Sequence, residues 1–121
     1  MVKCDKEKEG EKMTTENLCI TFERGILVAQ ITGDIDHHSA KLVREKIDMA
    51  IFEKKPCLVL LDLSFVDFMD SSGLGLILGR FNTAKELGAE LKILSPSRSV
   101  QKVLELAGIE RLIKIEGNYI L

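Results

Sequence analysis

The sequence predicts an α/β fold with a mixed, mostly parallel sheet of about five strands and with helices packed against that sheet. One observation behind this prediction is that short apolar runs, typical of buried strands, alternate with longer stretches whose apolar residues recur at helical spacing. Another is a Glu-Arg-Gly turn between the first two apolar runs, which indicates a hairpin at one edge of the sheet. Because the later strands alternate with helices, we expect them to pair in parallel.

The strands and the first helix are identified by their apolar patterns and by the residues that end them. The predicted strands cover residues 18–22, 26–31, 57–62, 91–94 and 112–115. A polar loop at residues 33–39 leads into the first helix, which closes at Lys54, Lys55 and Pro56. The two lysines suit the negative end of the helix dipole, and the proline ends the helical pattern.

The other two helices have equally clear limits. The second helix runs from about Ser72 to Leu87 and stops at Gly88, a common residue just past a helix end. The third starts at Ser95-Pro96, with proline at the first helical position, and ends at Gly108.

The chain of 121 residues is long enough for one domain with a single hydrophobic core. Residues 1–15 combine lysine and glutamate with almost no apolar side chains, so we expect a mobile charged extension there. The folded domain is predicted over residues 16–121.

Composition argues against several classes of function. A net charge of −2 does not suit a nucleic-acid binder, and no apolar run approaches the length of a membrane span or resembles a signal peptide. The three cysteines are odd in number and lack Cys-x-x-Cys spacing. We therefore expect a cytoplasmic protein in which Cys19 and Cys57 are small core residues.

The most informative segment is Asp-Ser-Ser-Gly-Leu-Gly at residues 70–75, between an apolar strand and an apolar helix. It lies at a helix N-terminus, where several backbone N–H groups lack partners within the helix. Two hydroxyls and two glycines at such a place can cap the helix, hold an anion or offer a serine to a modifying enzyme.

Catalytic, nucleotide and metal sites are weakly supported. The Gly-x-Ser-x-Gly pattern of a nucleophile elbow is absent around Ser71, and the two histidines, His37 and His38, open a different helix. The glycines at residues 73–79 depart from the dinucleotide fingerprint, and no Walker lysine follows. Asp34 and Asp36 near the histidines do not complete a metal-ligand set, and we interpret Asp36 as the cap of the first helix, with the histidines in its solvated first turn. We therefore predict no catalytic residue, no metal and no cofactor.

A phosphorylated serine and a simple helix cap both remain possible from composition and spacing. No Lys or Arg occurs between Pro56 and Gly79. A phosphate on Ser71 would add about −1.5 to −2 charges. The helix N-terminus would tolerate this negative charge, whereas a docked partner would be repelled by it. Alternatively, Asp70 or Ser71 merely caps the helix, an interaction worth about 1 kcal/mol.

Three segments of the sequence resemble a known family. They are Gly-Asp-Ile-Asp-His-His-Ser-Ala at residues 33–40, Leu-Ser-Phe at residues 63–65 and Phe-Met-Asp-Ser-Ser-Gly-Leu-Gly-Leu-Ile-Leu-Gly-Arg at residues 68–80. Together they resemble the STAS domain, and within it the anti-sigma F factor antagonists of sporulating Gram-positive bacteria. The resemblance covers roughly residues 17–115. The family usually has a further C-terminal helix, for which this sequence leaves little room, and a shorter N-terminal extension.

The resemblance implies a regulatory protein and not an enzyme. The unmodified antagonist binds an anti-sigma factor that is also a serine kinase and thereby frees the sigma factor. Phosphorylation of the first serine, Ser71, abolishes binding, and a metal-dependent PP2C-type serine phosphatase restores it. The partner-binding residues implied by the resemblance are Asp36, Asp70, Ser72, Gly73, Leu74 and Gly75. The alternatives are a STAS module of another pathway, such as general stress, or a small nucleotide-binding protein.

Overall fold

The computed structural model of the chain describes residues 11–117. Over this range it has six strands, three α-helices and one turn of 3-10 helix. The elements in chain order are β1 (Glu11–Thr15), β2 (Leu18–Glu23), β3 (Ile26–Ile35), α1 (His37–Lys54), β4 (Leu58–Met69), α2 (Ser71–Glu86), β5 (Glu90–Leu94), α3 (Arg98–Leu106), the 3-10 turn (Ile109–Arg111) and β6 (Lys114–Glu116).

The strands form one sheet in which spatial order follows chain order from β1 to β6. Strands β1, β2 and β3 pair antiparallel, whereas β3, β4, β5 and β6 pair in parallel. The predicted hairpin and the predicted parallel pairing are therefore both confirmed. Parallel strands end on the same side of a sheet, and the ends of β3 and β4 lie level there, with Ile35 opposite Met69. We call this the carboxyl edge.

The hydrophobic core lies between one face of the sheet and the helices. Alternate residues of the central strands point into it because successive side chains of a strand lie on opposite faces. All three helices contribute to the same cluster. The fully buried core side chains include Leu27, Ile31, Val59, Leu61 and Ile93 from the sheet, Ile47 and Ile51 from α1, Ile77 from α2 and Leu104 from α3.

The sheet has one strand more than predicted, because β1 occupies residues that we expected to be mobile. Met13 pairs with Ile20 and Thr15 with Leu18 in this edge strand. The prediction of an extension is therefore wrong for residues 11–15, whereas residues 1–10 lie outside the described part of the chain. Glu-Lys-Met-Thr-Thr has a single strongly apolar residue, so its sequence lacks the hydrophobic pattern of a strand. Backbone pairing to β2 forms the strand instead.

Strands β3 and β4 both run further than predicted, to Ile35 and Met69. The register between them shifts after Gln30 and again after Gly33, so the pairing continues through irregular positions. Part of the predicted polar loop at residues 33–39 is therefore strand. The irregular positions in β3 disturb the alternation of apolar and polar residues by which a strand is recognised in a sequence.

Two further expectations are corrected by the structure. Pro96 precedes α3 instead of beginning it, because Ser97 is the N-cap and its Oγ accepts a hydrogen bond from the Val100 N–H at 3.4 Å. Cys19 is half-buried and Cys57 is exposed, so neither is a fully buried core residue. The possible C-terminal helix would fall at residues 118–121, outside the described residues.

A largely buried ion pair joins α1 to α2. The Arg80 Nε lies 2.7 Å from the Asp48 Oδ1, with the arginine side chain only 7% exposed. Burial lowers the pKa of Arg80, and the carboxylate of Asp48 offsets part of that effect. The Arg80 Nη1 is buried without a hydrogen-bond partner among residues 11–117, so this guanidinium depends heavily on Asp48.

Replacing Asp48 with alanine should leave the buried charge of Arg80 without its counter-charge. We expect the free energy of unfolding to fall by about 3 kcal/mol, measured by urea denaturation. Asp67→Ala is a matched control, because Asp67 is exposed and its carboxylate has no partner within the described chain. Its effect should stay within about 0.5 kcal/mol, and equal losses for the two variants would contradict the assigned role of the pair.

Candidate functional site

The carboxyl edge brings two distant motifs together. Ile35 of β3 and Met69 of β4 are paired in register, and each is followed directly by an aspartate that begins a helix. The backbone N–H of Asp70 donates to the Ile35 carbonyl at 3.3 Å. The start of α1 at Asp36 and the start of α2 at Asp70 are therefore neighbours, although far apart in the sequence.

Of the two candidate caps, Asp70 is the N-cap of α2. Its Oδ1 accepts a hydrogen bond from the Ser72 N–H at 2.7 Å and so satisfies one of the free amides at the helix start. Ser71 is the first residue of the helix and is exposed. Within the described chain its hydroxyl has no hydrogen-bond partner, so the oxygen is open to an incoming group.

Asp36 caps α1 through a reciprocal arrangement with Ser39. The Asp36 Oδ1 accepts from the backbone N–H groups of His38 and Ser39, each at 3.0 Å, while the Ser39 Oγ accepts from the Asp36 N–H at 3.1 Å. The bond from the Ser39 N–H is the main reason that the pKa of Asp36 is lowered. Asp36 is therefore fully charged at neutral pH.

Each cap uses only one of its two carboxylate oxygens. All the hydrogen bonds to Asp36 from residues 11–117 go to Oδ1, and the same holds for Asp70. A carboxylate has about four lone-pair sites, so Oδ2 of each residue is left to accept from another molecule. Capping and partner contact are thus compatible roles for the same side chain.

A basic cleft lies between the first turns of α1 and α2. Its volume is about 510 Å³. It is lined by His37, Ala40, Lys41, Arg44, Ser72, Gly75 and Leu76. The sequence around Ser71 lacks basic residues, but α1 supplies His37, Lys41 and Arg44 to the same region. The absence of basic residues along the sequence around Ser71 therefore does not extend to its surroundings in space.

The sequence carries a signal for the basic cleft. His37, Lys41 and Arg44 follow helical spacing, which places them on one face of α1. Only the packing of α1 beside α2 shows that this face adjoins the serine motif.

The two glycines of the motif differ in what surrounds them. Gly73 is buried, and a Cβ at this position would overlap the side chain of Met69 and lie 3.3 Å from the Ile35 Cγ2. Gly75 is exposed and has nothing within 4 Å of the corresponding position. Close packing inside the domain therefore explains Gly73 but not Gly75. Between them, Leu74 is half-buried and packs against the core.

The described part of the chain provides neither a cluster of metal ligands nor a membrane-spanning helix. Among residues 11–117, no group of three His, Cys, Asp or Glu side chains is arranged to hold a metal ion. His37 and His38 are exposed in the first turn of α1, as expected for solvated residues after a cap. No helix in this range is long and apolar enough to cross a membrane.

A family model assigns the fold and its edge motifs to a known class. The model of the STAS domain matches residues 17–119. The match includes both caps, the serine motif and the whole parallel part of the sheet. The chain belongs to the STAS domain family.

Individual relatives narrow this assignment. The chain is 36% identical over 104 residues to the anti-sigma F factor antagonist of Paenibacillus polymyxa, covering 84% of this chain and 89% of the relative. It is 34% identical over 102 residues to the anti-sigma-B factor antagonist of Bacillus subtilis, covering 84% and 92%. Within the STAS family, the chain groups with the anti-sigma factor antagonists.

Solved structures agree with this grouping. The anti-sigma factor antagonist SpoIIAA in its unphosphorylated form matches with a TM-score of 0.72 at 29% identity, over 81% of this chain and 86% of that one. The phosphorylated form of Bacillus SpoIIAA matches with a TM-score of 0.65 at 29% identity, over 81% and 89%. The predicted STAS fold and antagonist class are thus confirmed.

The different surroundings of the two glycines lead to a test by alanine substitution. Gly73→Ala should lower the free energy of unfolding by about 1–3 kcal/mol because the new methyl group overlaps Met69. Gly75→Ala should raise it by about 0.5–1 kcal/mol because alanine favours the helix. Urea denaturation of both variants measures the two effects. Equal destabilisation would show that Gly75 is also needed for internal packing.

Proposed function

We propose that the unphosphorylated chain binds an anti-sigma factor that is also a serine kinase, and thereby releases a sigma factor. In this proposal Ser71 is the phosphorylated residue, and a PP2C-type serine phosphatase removes the phosphate. The chain acts as ligand and substrate and has no turnover of its own. It works in the cytoplasm, where sigma factors act, and needs no cofactor.

The observation that carries the proposal is the state of the Ser71 hydroxyl. It is exposed at the start of α2 and has no hydrogen-bond partner within the described chain. Asp70 already caps the helix, so Ser71 is not needed for that purpose. A serine that the fold does not use, presented at a rigid helix start, is well suited to accept a phosphoryl group.

The chemistry at Ser71 is a phosphoryl transfer from ATP held by the partner. The Ser71 Oγ attacks the terminal phosphorus, the bond to the bridging oxygen breaks, and ADP leaves while a base of the kinase takes the hydroxyl proton. The transfer requires the terminal phosphate to approach Oγ in line. The docked partner must therefore bring its nucleotide to the first turn of α2.

The same geometry explains why phosphorylation would end the interaction. Phosphoserine carries about −1.5 to −2 charges and would face the remaining phosphates of the nucleotide at contact distance. The carboxylates of Asp36 and Asp70 add negative charge at the two helix starts, and Lys41 and Arg44 of the basic cleft offset part of it. Anions are tolerated at a helix N-terminus, so the domain stays folded while the interface is repelled.

The remaining predicted partner-binding residues fit a contact surface around Ser71. Ser72 and Gly75 line the basic cleft, and Leu74 is half-buried next to them. The absence of a side chain at Gly75 leaves space for a partner backbone to lie against α2. We assign Gly73 an indirect role, since it is buried and lets α2 sit close to Met69.

Charge at Ser71 should control partner binding. We expect Ser71→Ala to bind the cognate anti-sigma kinase as the unmodified chain does and to stay bound in ATP. Ser71→Asp should bind at least about tenfold more weakly, corresponding to about 1.4 kcal/mol. Isothermal titration calorimetry measures binding, and intact mass after incubation with kinase and ATP should show one added phosphate on the unmodified chain and none on Ser71→Ala. If Ser71→Asp binds as tightly as the unmodified chain, repulsion is not the switch.

The capping and contact roles of Asp36 can be separated by two substitutions. Asn is as good an N-cap as Asp, so Asp36→Asn should keep the stability of α1 while removing the charge. Asp36→Ala loses the cap as well and should cost about 1 kcal/mol of stability. We expect both variants to bind the anti-sigma kinase at least about fivefold more weakly, the loss of one charged contact. Full binding by Asp36→Asn would leave Asp36 as a cap only.

A general-stress pathway is the second candidate. It is favoured by the similar identity of the chain to antagonists named for sigma F and for sigma B, 36% and 34%. Parallel titrations with an anti-sigma F and an anti-sigma-B factor distinguish them. The cognate partner is the one that both binds the unmodified chain and phosphorylates Ser71.

A further inference from the structure

A second cleft lies at the end of the domain opposite to the carboxyl edge. Its volume is about 320 Å³, and it is formed by β1, β2 and the C-terminal half of α1. One of its lining residues is Phe22, which pairs with Leu27 near the beginning of β3. Ser71 follows the end of β4, which runs parallel to β3. The cleft is therefore separate from the proposed partner surface.

The floor and walls of this cleft are apolar. Ile20 is only 4% exposed at its floor, and Phe22 packs against the hydrophobic core beside it. Met13 and Met49 form the walls and are 37% and 68% exposed. The cleft exists because α1 packs over β2 and β3, while β1 extends the sheet beyond the helix. Exposed methionines beside a hydrophobic floor are typical of adaptable binding surfaces.

The α1 side of the cleft carries an ammonium group at its rim, although the chain as a whole has a net charge of −2. Lys46 and Lys54 of α1 line the cleft, and Glu53 is the carboxylate among its described lining residues. Lys46 has no ion-pair partner among the described side chains. Lys12 also lines the cleft, but it pairs with Thr21 whereas Met13 pairs with Ile20, so its side chain lies on the other face of the sheet. Long lysine side chains can lie along apolar surface and keep their ammonium groups at its edge.

From these observations we propose that the cleft binds a small amphipathic anion, specifically a free medium-chain aliphatic carboxylate. The hydrocarbon chain would lie on Ile20 and Phe22 between the two methionines. The carboxylate would be held by the ammonium group of Lys46. The apolar floor offers nothing to a purely polar anion, and the lysine rim offers nothing to a neutral hydrocarbon.

The size of the cleft favours a small molecule over a protein segment. Its volume of about 320 Å³ is at the lower end of the range for small-ligand pockets. A docked amphipathic helix needs a groove long enough for anchors over several turns. The lining on α1 spans only Lys46 to Lys54, about two turns.

Sodium decanoate is a suitable probe, used with the full chain below its micelle-forming concentration. The chain has four methionines, and their labelled methyl groups report on different places in NMR spectra. Met13 and Met49 should shift on titration with saturation at one decanoate per chain. Met69, which lies beneath Gly73 at the carboxyl edge, should not shift. Decanol, which has a similar chain but no charge, should bind at least about fivefold more weakly.

Substitutions at exposed positions of α1 test the site without risk to the core. Met49→Glu places a negative charge in the wall and should weaken decanoate binding by at least about tenfold. Leu42→Glu is the matched control, since Leu42 is 56% exposed on the same helix but lies outside the cleft, and it should bind as the unmodified chain does. Lys46→Gln should weaken binding by at least about fivefold.

Several results would overturn the proposal. They are the absence of saturable shifts at Met13 and Met49, equal binding by Met49→Glu and Leu42→Glu, and equal affinity for decanoate and decanol. Binding of the chain to anionic phosphatidylglycerol vesicles but not to decanoate would mean a membrane surface instead of a free carboxylate. Ser71→Asp should bind decanoate normally, so the test does not depend on the proposed function.

Discussion

The parallel pairing of β3 with β4 is the constraint on which the rest of the structure depends. The two strands remain paired through two register irregularities, up to Ile35 opposite Met69. Because both strands end at the same level, the segments that follow them begin α1 and α2 side by side. The Asp36 and Asp70 caps, the exposed Ser71 and the basic cleft between α1 and α2 all follow from this common end point.

The paired helix starts also show how few side chains are needed to serve both folding and recognition. Asp36 and Asp70 each cap a helix through one oxygen and leave the other unused within the described chain. The hydrogen bonds that lower the pKa of Asp36 also hold its carboxylate in one orientation. The fold thus presents two fixed negative charges next to the serine without a dedicated set of supporting residues.

The starts of α1 and α2 were predictable from the sequence because their determinants are local. Asp36 and Asp70 were candidate caps, and the predicted start of α2 was one residue from the observed one, since a cap and its free amides lie within four residues. The start of α3 was placed two residues too early, with Ser95 instead of Ser97 before the helix. Strand limits were less predictable. β1 has no apolar pattern and exists through pairing with β2, and the bulges in β3 and β4 interrupt the alternation that indicates a strand.

The electrostatic surroundings of Ser71 were not predictable, because they depend on residues that are distant in the sequence. Lys41 and Arg44 reach the serine motif from another element, and only the packing of α1 against α2 brings them there. Likewise, the spacing of Asp48 and Arg80 does not indicate that these two residues pair. A window of sequence describes the neighbours along the chain, whereas charge acts through space.

Gly75 has a consequence for how variants of this protein would evolve in the laboratory. The fold does not need a glycine there, because the space beside its Cα is open and the residue is exposed. A library selected for thermal resistance alone would therefore accumulate alanine at this position, along with other helix-favouring residues on the exposed face of α2. Such a selection would improve the scaffold while filling the space that we assign to a partner. The methyl group that stabilises the helix at this position would thus weaken the binding of the partner.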